Sequence, residues 1–278
     1  MRPAGAVLTL VGVALAGCSA GAPPPIPEGL SVSVIQQRGD IAPGRVEVRV
    51  DNGSTDTLTI VGATLAWAAL SEPATWAARR VETIGPGRVV DLPVALPPLR
   101  CVAEVDAASV TLEFDTSGGV STADITADDP LGILPRLSAA QCDRDALDAV
   151  AHVEATAVSP RTDGTADLTL SITPTAAGDG RVELSLLRGT PLLHFAAGEE
   201  ATLATTVSAG DAPSTITVAV TPRRCDPHAI AEDKVGTLFD LVARVDGREV
   251  VVSLERPPSV ADALLEFTAA ACGLTPAS

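Results

Sequence analysis

The motif Pro98-Leu99-Arg100-Cys101 occurs again as Pro222-Arg223-Arg224-Cys225, and this repeat decides how the chain is divided into folding units. The two copies belong to longer segments, 58–101 and 182–225, which align without a gap at an offset of 124 positions. Similarity at a fixed offset is typical of repeated structural units, so the pattern indicates an internal duplication. We therefore predict two related units, one after the other along the chain.

The later cysteines follow the same repeat, because Cys142 corresponds to Cys272. Four cysteines allow three pairings. The pairs Cys101–Cys142 and Cys225–Cys272 give each unit its own disulfide, whereas the other two pairings link the units to each other. We predict one disulfide per unit; the alternative is four buried free thiols.

Hydrophobic and polar residues alternate in both units, as they do in strands with one buried face. Val46, Val48 and Val50 carry the pattern in the first unit, and Leu168 and Leu170 carry it in the second. Further strands are predicted at 32–34, 58–60, 88–96, 109–115 and 120–126, and again at 182–186, 216–220 and 250–252.

Each unit is predicted to end in a short helix. Asp129-Pro130 is suited to opening the first helix, and the segment 138–141 has the form of a capping box, with Ser138 as its first residue. Ser259 is the candidate N-cap of the last helix, which carries an apolar stripe on one face. The stripe consists of Val260, Leu264, Phe267 and Ala271.

These patterns predict a mainly β protein. Its two tandem units, 29–145 and 150–275, are expected to be immunoglobulin-like β-sandwiches, each closed by a short C-terminal helix and one disulfide. The tryptophan that lies between the cysteines of a true immunoglobulin domain is missing from both units. The resemblance therefore concerns the architecture.

Leu15-Ala16-Gly17-Cys18 closes an N-terminal segment that carries one positive charge, at Arg2, and is then small or aliphatic. This apolar run is shorter than the about 20 residues that span a bilayer. Residues 1–18 resemble the lipoprotein signals of bacteria. The resemblance implies that the signal peptide 1–17 is removed, that Cys18 is acylated, and that 18–28 is a Pro-rich tether. The alternative is an ordinary cleaved signal with a stray cysteine.

The count of cysteines agrees with this interpretation. Five is an odd number, and acylation of Cys18 leaves four cysteines to pair in an oxidising exterior. We predict an extracytoplasmic protein on the outer face of the cell membrane, held by its acyl chains. The chain as a whole is similar to actinobacterial envelope lipoproteins.

Charge and motifs exclude several functions. The net charge of −16 argues against nucleic acid as a partner, because no basic patch is available to neutralise phosphate. The chain has no Gly-x-Ser-x-Gly elbow, no His-Glu-x-x-His and no phosphate-binding glycine loop. We therefore predict neither an enzyme nor a cofactor; an enzyme of an unrecognised type is the alternative.

One polar cluster has metal-ligand chemistry. His228, Asp226, Glu232 and Asp233 offer a nitrogen and carboxylate oxygens to a divalent cation, in the second unit alone. A single histidine without regular ligand spacing is a weak signal. The competing interpretation is a turn after a strand, with the carboxylates in solvent or in local ion pairs.

Both tryptophans lie in the segment 65–78 of the first unit. If they are exposed, Trp67 and Trp76 form a candidate contact patch for a protein partner. The favoured interpretation is that at least one of them belongs to the core, as large apolar residues usually do.

The sequence thus favours a lipid-anchored, non-catalytic envelope protein that presents two β-sandwich units for protein contact or as a structural spacer. Its partners would be the membrane, through Cys18, and an envelope protein. The alternative is a lipoprotein that binds a small ligand or cation around His228.

Overall fold

Antiparallel strands make up most of the protein. The computed structural model describes residues 26–77, 80–104, 106–116, 119–231 and 235–274. Strands account for 49% of the residues and helices for 16%, so the predicted mainly β class is confirmed.

We call residues 30–126 the first half, residues 151–271 the second half, and the helix between them α2. The elements of the first half and this helix are β1 (Leu30–Ile35), α1 (Arg38–Ile41), β2 (Arg45–Asn52), β3 (Leu58–Ala66), β4 (Ala74–Thr75), β5 (Glu82–Ile84), β6 (Arg88–Ala95), β7 (Ser109–Thr116), β8 (Gly119–Thr126) and α2 (Ile133–Asp148).

The elements of the second half are β9 (Ala151–Pro160), β10 (Ala166–Pro174), β11 (Arg181–Arg188), β12 (Leu193–Phe195), β13 (Glu200–Ser208), β14 (Ser214–Pro222), α3 (Pro227–Ala231), β15 (Asp240–Val245), β16 (Arg248–Ser253) and α4 (Pro258–Ala271).

The two halves use the same strand order. The sheets of the first half run β1-β2-β6 and β4-β3-β7-β8, and β5 pairs with β3. Those of the second half run β9-β10-β14-β12 and β13-β11-β15-β16. The order β1-β2-β6 thus corresponds to β9-β10-β14, and β3-β7-β8 corresponds to β11-β15-β16.

A β-bulge also occurs at the same place in both halves. The register of β3 against β7 shifts between Ile60 and Gly62. The register of β11 against β15 shifts between Leu184 and Leu186, which lie 124 positions further along. Because a bulge is set by the local geometry of its sheet, the coincidence supports the alignment of the two segments.

The inward faces of the two sheets in each half contribute to one hydrophobic cluster. Val46, Val48 and Val50 are completely buried in the first cluster, as are Leu168 and Leu170 in the second. The strands predicted from alternation are all present, because this pattern places one side chain in two against the opposite sheet.

The start of helix α2 is capped by Asp129, which was predicted to open this helix and lies nine residues before the predicted capping box at Ser138. Both carboxylate oxygens of Asp129 accept hydrogen bonds, from Ile133 N–H at 2.7 Å and from Leu134 N–H at 2.8 Å. These bonds satisfy N–H groups that have no partner inside the helix. The capping box predicted at Ser138 is wrong, because Ser138 is a buried residue within this helix of 16 residues.

Helix α4 begins at Pro258, so Ser259 is a residue of its first turn and the prediction that it is the N-cap is wrong. Proline suits this position because its missing N–H would have had no intrahelical partner. The predicted apolar stripe is largely confirmed, since Val260, Leu264 and Phe267 are buried.

Both predicted disulfides are present, Cys101–Cys142 and Cys225–Cys272. Their sequence separations are 41 and 47 residues. Closing loops of this size stabilises the fold by roughly 4 kcal/mol each in the chain-entropy model. Cys142 lies in α2 and Cys272 follows α4, so each bridge fastens a helix to the segment after β6 or β14.

Cys18, the predicted signal peptide and most of the predicted tether lie outside the described residues. Within the described part of the chain, none of the helices has both the length and the apolar character needed to cross a bilayer.

Candidate functional site

The structure gives Asp226 a structural role beside His228. Its carboxylate accepts the backbone N–H of His228 at 3.0 Å and pairs with Arg224 at 3.2 Å. Asp226 therefore supports the start of α3 and neutralises an arginine, as expected for a turn after a strand. Glu232 and Asp233 lie outside the described residues.

The candidate contact patch at Trp67 and Trp76 is not formed. The two residues are only 6% and 8% exposed, and both belong to the hydrophobic cluster of the first half. The backbone N–H of Trp76 donates to the backbone carbonyl of Ala63 at 2.9 Å, and this bond holds the segment against β3. The rings thus fill the core, in a chain with few other aromatic residues.

An open cleft of about 940 Å³ is lined in part by Pro27 and Glu28, the last two residues of the predicted tether. Among the described residues, its lining contains Ser54 but no histidine. The hydroxyl of Ser54 donates to Oδ1 of Asn52 at 2.6 Å, so it is engaged in the turn between β2 and β3. The cleft therefore lacks a serine that is activated by an adjacent histidine.

The feature that connects the two halves is helix α2, which contributes to both hydrophobic clusters. Ile133 and Leu134, at its start, belong to the cluster of the first half, and Leu147, near its end, belongs to that of the second. Ala149 and Val150 are the only residues between α2 and β9. The two halves are thus joined by a packed helix.

Asp143 of α2 binds the second half through two hydrogen bonds. Its carboxylate accepts Nη1 of Arg248 at 2.7 Å and the backbone N–H of Val251 at 3.1 Å. Both partners belong to β16, which is the last strand of its sheet. Asp143 therefore satisfies a backbone donor on a sheet edge as well as an arginine.

Arg144 makes the next contact along the same edge. Its Nη2 donates to the carbonyl of Ser253, and its Nε lies 3.5 Å from the carboxylate of Glu255. Its side chain is only 15% exposed. Asp143 and Arg144 together bind backbone groups two residues apart on β16, and we call these two residues and their partners the α2 joint.

A histidine lies at the end of the α2 joint between two carboxylates. Nδ1 of His152 is 3.5 Å from Asp148, and Nε2 is 3.8 Å from Glu255. One ligand atom from each of these three residues lies within 4.8 Å of the others, which is close enough to hold a metal ion. However, each carboxylate approaches a different ring nitrogen of His152, and a single ion is able to bind only one of the two nitrogens.

Sequence reasoning missed both the α2 joint and the neighbouring cluster of Asp148, His152 and Glu255. The spacing of Asp148 and His152, four positions apart, is a local signal, but it spans the end of a helix and the start of a strand. Glu255 lies more than 100 positions away. Only the folded chain brings it to the same place.

Comparison with known proteins assigns no family. No family model matches the chain, and no curated protein matches it. Solved structures that resemble it include the transglutaminase of red sea bream, at 15% identity and a TM-score of 0.24. The match covers 82% of this chain and 31% of the transglutaminase, so the chain spans less than a third of that protein.

Two further structures are comparable in length. A protein of unknown function from Porphyromonas gingivalis W83 matches at 16% identity and a TM-score of 0.19, over 81% of this chain and 96% of its own. The calcium binding domain CBD12 of CALX1.1 matches at 10% identity and a TM-score of 0.20, over 80% of each chain. Scores this low carry no argument about fold or function.

We expect Asp143→Ala to lower the free energy of unfolding by about 1–2 kcal/mol, because it removes a charged hydrogen bond and a half-exposed ion pair. Urea denaturation measures the change. Asp262→Ala, at an exposed position of α4, is the matched control and is expected to stay within about 0.5 kcal/mol of the unchanged protein. Equal effects of the two substitutions would contradict a stabilising role for Asp143.

Proposed function

We propose that the protein is a lipid-anchored, non-catalytic component of a bacterial cell envelope. Two tandem immunoglobulin-like β-sandwich units, joined rigidly by α2, act in it as a structural spacer that presents protein surface at a fixed distance from the membrane. The observation that carries the proposal is that α2 belongs to both hydrophobic clusters.

The architecture of the proposal is supported by the repeat. Both halves have the same strand order, a bulge at the same aligned position and one disulfide of their own. Duplication of one sandwich unit accounts for these correspondences together. Each half departs from a true immunoglobulin domain in its closing helix and in having no tryptophan between its two cysteines.

Rigidity is supported by the way in which the halves are connected. A flexible linker is usually exposed, polar and free of packing contacts. Here the connection is a helix with apolar residues in two cores, and its polar residues bind the edge of β16. Reorienting one half would expose Leu147 and leave the backbone groups bound by Asp143 and Arg144 without these partners.

The lack of catalytic function is supported by the roles of the polar residues. Asp143 and Arg144 are engaged with backbone groups, and Asp226 supports α3. The recognised catalytic motifs are missing from the sequence. The anchoring is supported by the resemblance of residues 1–18 to bacterial lipoprotein signals, which end at the acylated cysteine, and by the odd number of cysteines.

Rigid connection predicts a single narrow distance between the two halves. Spin labels on cysteines introduced at Thr122 and Thr206, exposed residues of β8 and β13, report this distance by pulsed electron paramagnetic resonance. We expect a width similar to that of a control pair within the first half, Thr122 and Val89. Asp143→Ala combined with Arg144→Ala is expected to broaden it. A broad distribution in the protein without these two substitutions would contradict the spacer.

Acylation predicts that Cys18→Ser abolishes incorporation of a clickable fatty acid in cells and releases the protein from the membrane fraction. The double substitution Cys101→Ser and Cys142→Ser is the control. It removes a disulfide but is expected to keep the label, because it leaves the acylated thiol in place. Persistent labelling of Cys18→Ser would exclude anchoring at this residue.

A further inference from the structure

Two carboxyl groups lie buried on the outer face of the sheet β1-β2-β6. Val46 and Val48 face the core, so Glu47 between them faces outward, where it is flanked in register by Ile35 and Pro93. Helix α1 carries the second carboxyl group, Asp40. The two residues are only 8% and 2% exposed, which is unusual for acidic side chains on the outside of a sheet.

Asp40 fastens α1 to the sheet. Its carboxylate accepts Nη2 of Arg45 at 2.9 Å and the backbone N–H of Gln37 at 2.9 Å. The first bond connects the helix to β2, and the second closes the start of the helix. The position of this short helix therefore depends on the two bonds that the Asp40 carboxylate accepts.

The protonation of Glu47 depends on the neighbouring Asp40. A side-chain hydrogen bond with Asp40 contributes to the raised pKa of Glu47, and Oε2 of Glu47 is buried without a hydrogen-bond partner among the described residues. Two adjacent, desolvated carboxylates repel each other, so a hydrogen bond between them requires that one holds a proton. The oxygens of Asp40 already accept hydrogen bonds from Arg45 and from the backbone of Gln37, which leaves the proton to Glu47.

The charged groups around Glu47 come from three elements. Asp40 faces it from α1, Asp91 from β6, and Arg45 from its own strand, β2. Arg49 of β2 is occupied by a two-pronged ion pair with Asp91, at 2.7 and 2.9 Å. The pKa of Glu47 is raised from 4.5 to about 7, first by burial and then by the charge and hydrogen bond of Asp40 and the charge of Asp91, and the charge of Arg45 opposes this rise.

The end of α1 lies beside the second half. Ala42, which follows the helix, lines a cleft of about 400 Å³ together with residues of β9 and of the segment after β16. This segment includes Glu255, which also contacts Arg144 of the α2 joint. A movement of α1 thus changes a surface that both halves share.

We propose that Asp40 and Glu47 form a proton-dependent latch, in which one proton held between the two carboxyl groups keeps α1 on the sheet and its loss loosens the end of α1 in the cleft beside the second half. The step is a simple ionisation, in which Glu47 gives its proton to solvent and the hydrogen bond to Asp40 is replaced by repulsion between two anions. The latch is independent of the spacer and of the anchor.

The direction of the pH effect follows from the raised pKa of Glu47. The unfolded chain loses this proton near pH 4.5, whereas the folded protein keeps it up to about pH 7. Folding is therefore favoured at low pH, and this contribution to stability is lost as the pH rises from 4.5 to about 7. Within this window the unfolding constant is expected to rise about tenfold per pH unit through Glu47 alone.

Carbon-detected nuclear magnetic resonance of the full chain tests the latch between pH 4 and 9. The Glu47 carboxyl carbon and the backbone amides of Gln37 and Ala42 are expected to titrate together, with a midpoint near pH 7. A Glu47 midpoint below pH 5 would overturn the proposal, and so would amides of Gln37 and Ala42 that do not follow the carboxyl group.

Glu47→Gln is the matched variant, because its amide donates to Asp40 at every pH. We expect it to abolish the amide titration of Ala42 and to lower the unfolding constant at pH 8 relative to the unchanged protein, with the difference vanishing toward pH 4.5. Glu183→Gln, at an exposed position of β11, is the control and is expected to leave the titration intact. The unchanged protein decides the question even if Glu47→Gln fails to fold.

Discussion

The structure depends on one helix that belongs to the hydrophobic cores of both halves and so determines how the halves are connected. Helix α2 buries Ile133 and Leu134 in the first half and Leu147 in the second. Burying a leucine side chain stabilises a fold by about 1.5–3 kcal/mol, so neither half is able to turn away from the helix without losing a contribution of this size. The disulfide at Cys142 adds a covalent fastening to the first half. In the proposed spacer the two halves therefore behave as one body, although each has its own sheets.

The charged residues divide into two kinds by what they contact. Pairs such as Arg223–Glu199 are exposed on the surface and contribute little, because solvent screens them. Asp143 and Arg144 instead bind backbone groups of an edge strand, which protects that edge from pairing with another chain. Their placement on the helix, and not the number of ion pairs, is what couples the halves.

Much of the fold was predictable because it depends on local periodicity and on the repeat. Alternation identified the main strands, and correspondence between the segments identified both disulfide pairs. The opening of α2 at Asp129 was predicted, but its extent was not, since the local pattern at Ser138 imitates a second helix start within the same helix. The tryptophans gave no periodic signal, so their burial depended on how residues 67–76 fold back on the sheet.

The polar features depend on contacts between distant parts of the chain. Glu47 is one of several glutamates in alternating strands, and nothing in its neighbourhood in the sequence distinguishes it. Its burial follows from α1, a helix of four residues that is too short to be recognised from periodicity. Glu255 and Arg248 likewise reach α2 only after the second half has folded.

The most direct test of the account is residue-resolved hydrogen exchange at Ala149 and Val150, between α2 and β9. Their N–H groups donate to the carbonyls of Asp145 and Leu147, at 3.0 and 2.9 Å. A packed joint predicts that both amides exchange nearly as slowly as that of Leu170 in the core of the second half. Exchange at the rate of an unstructured peptide would show a flexible linker and contradict the rigid connection.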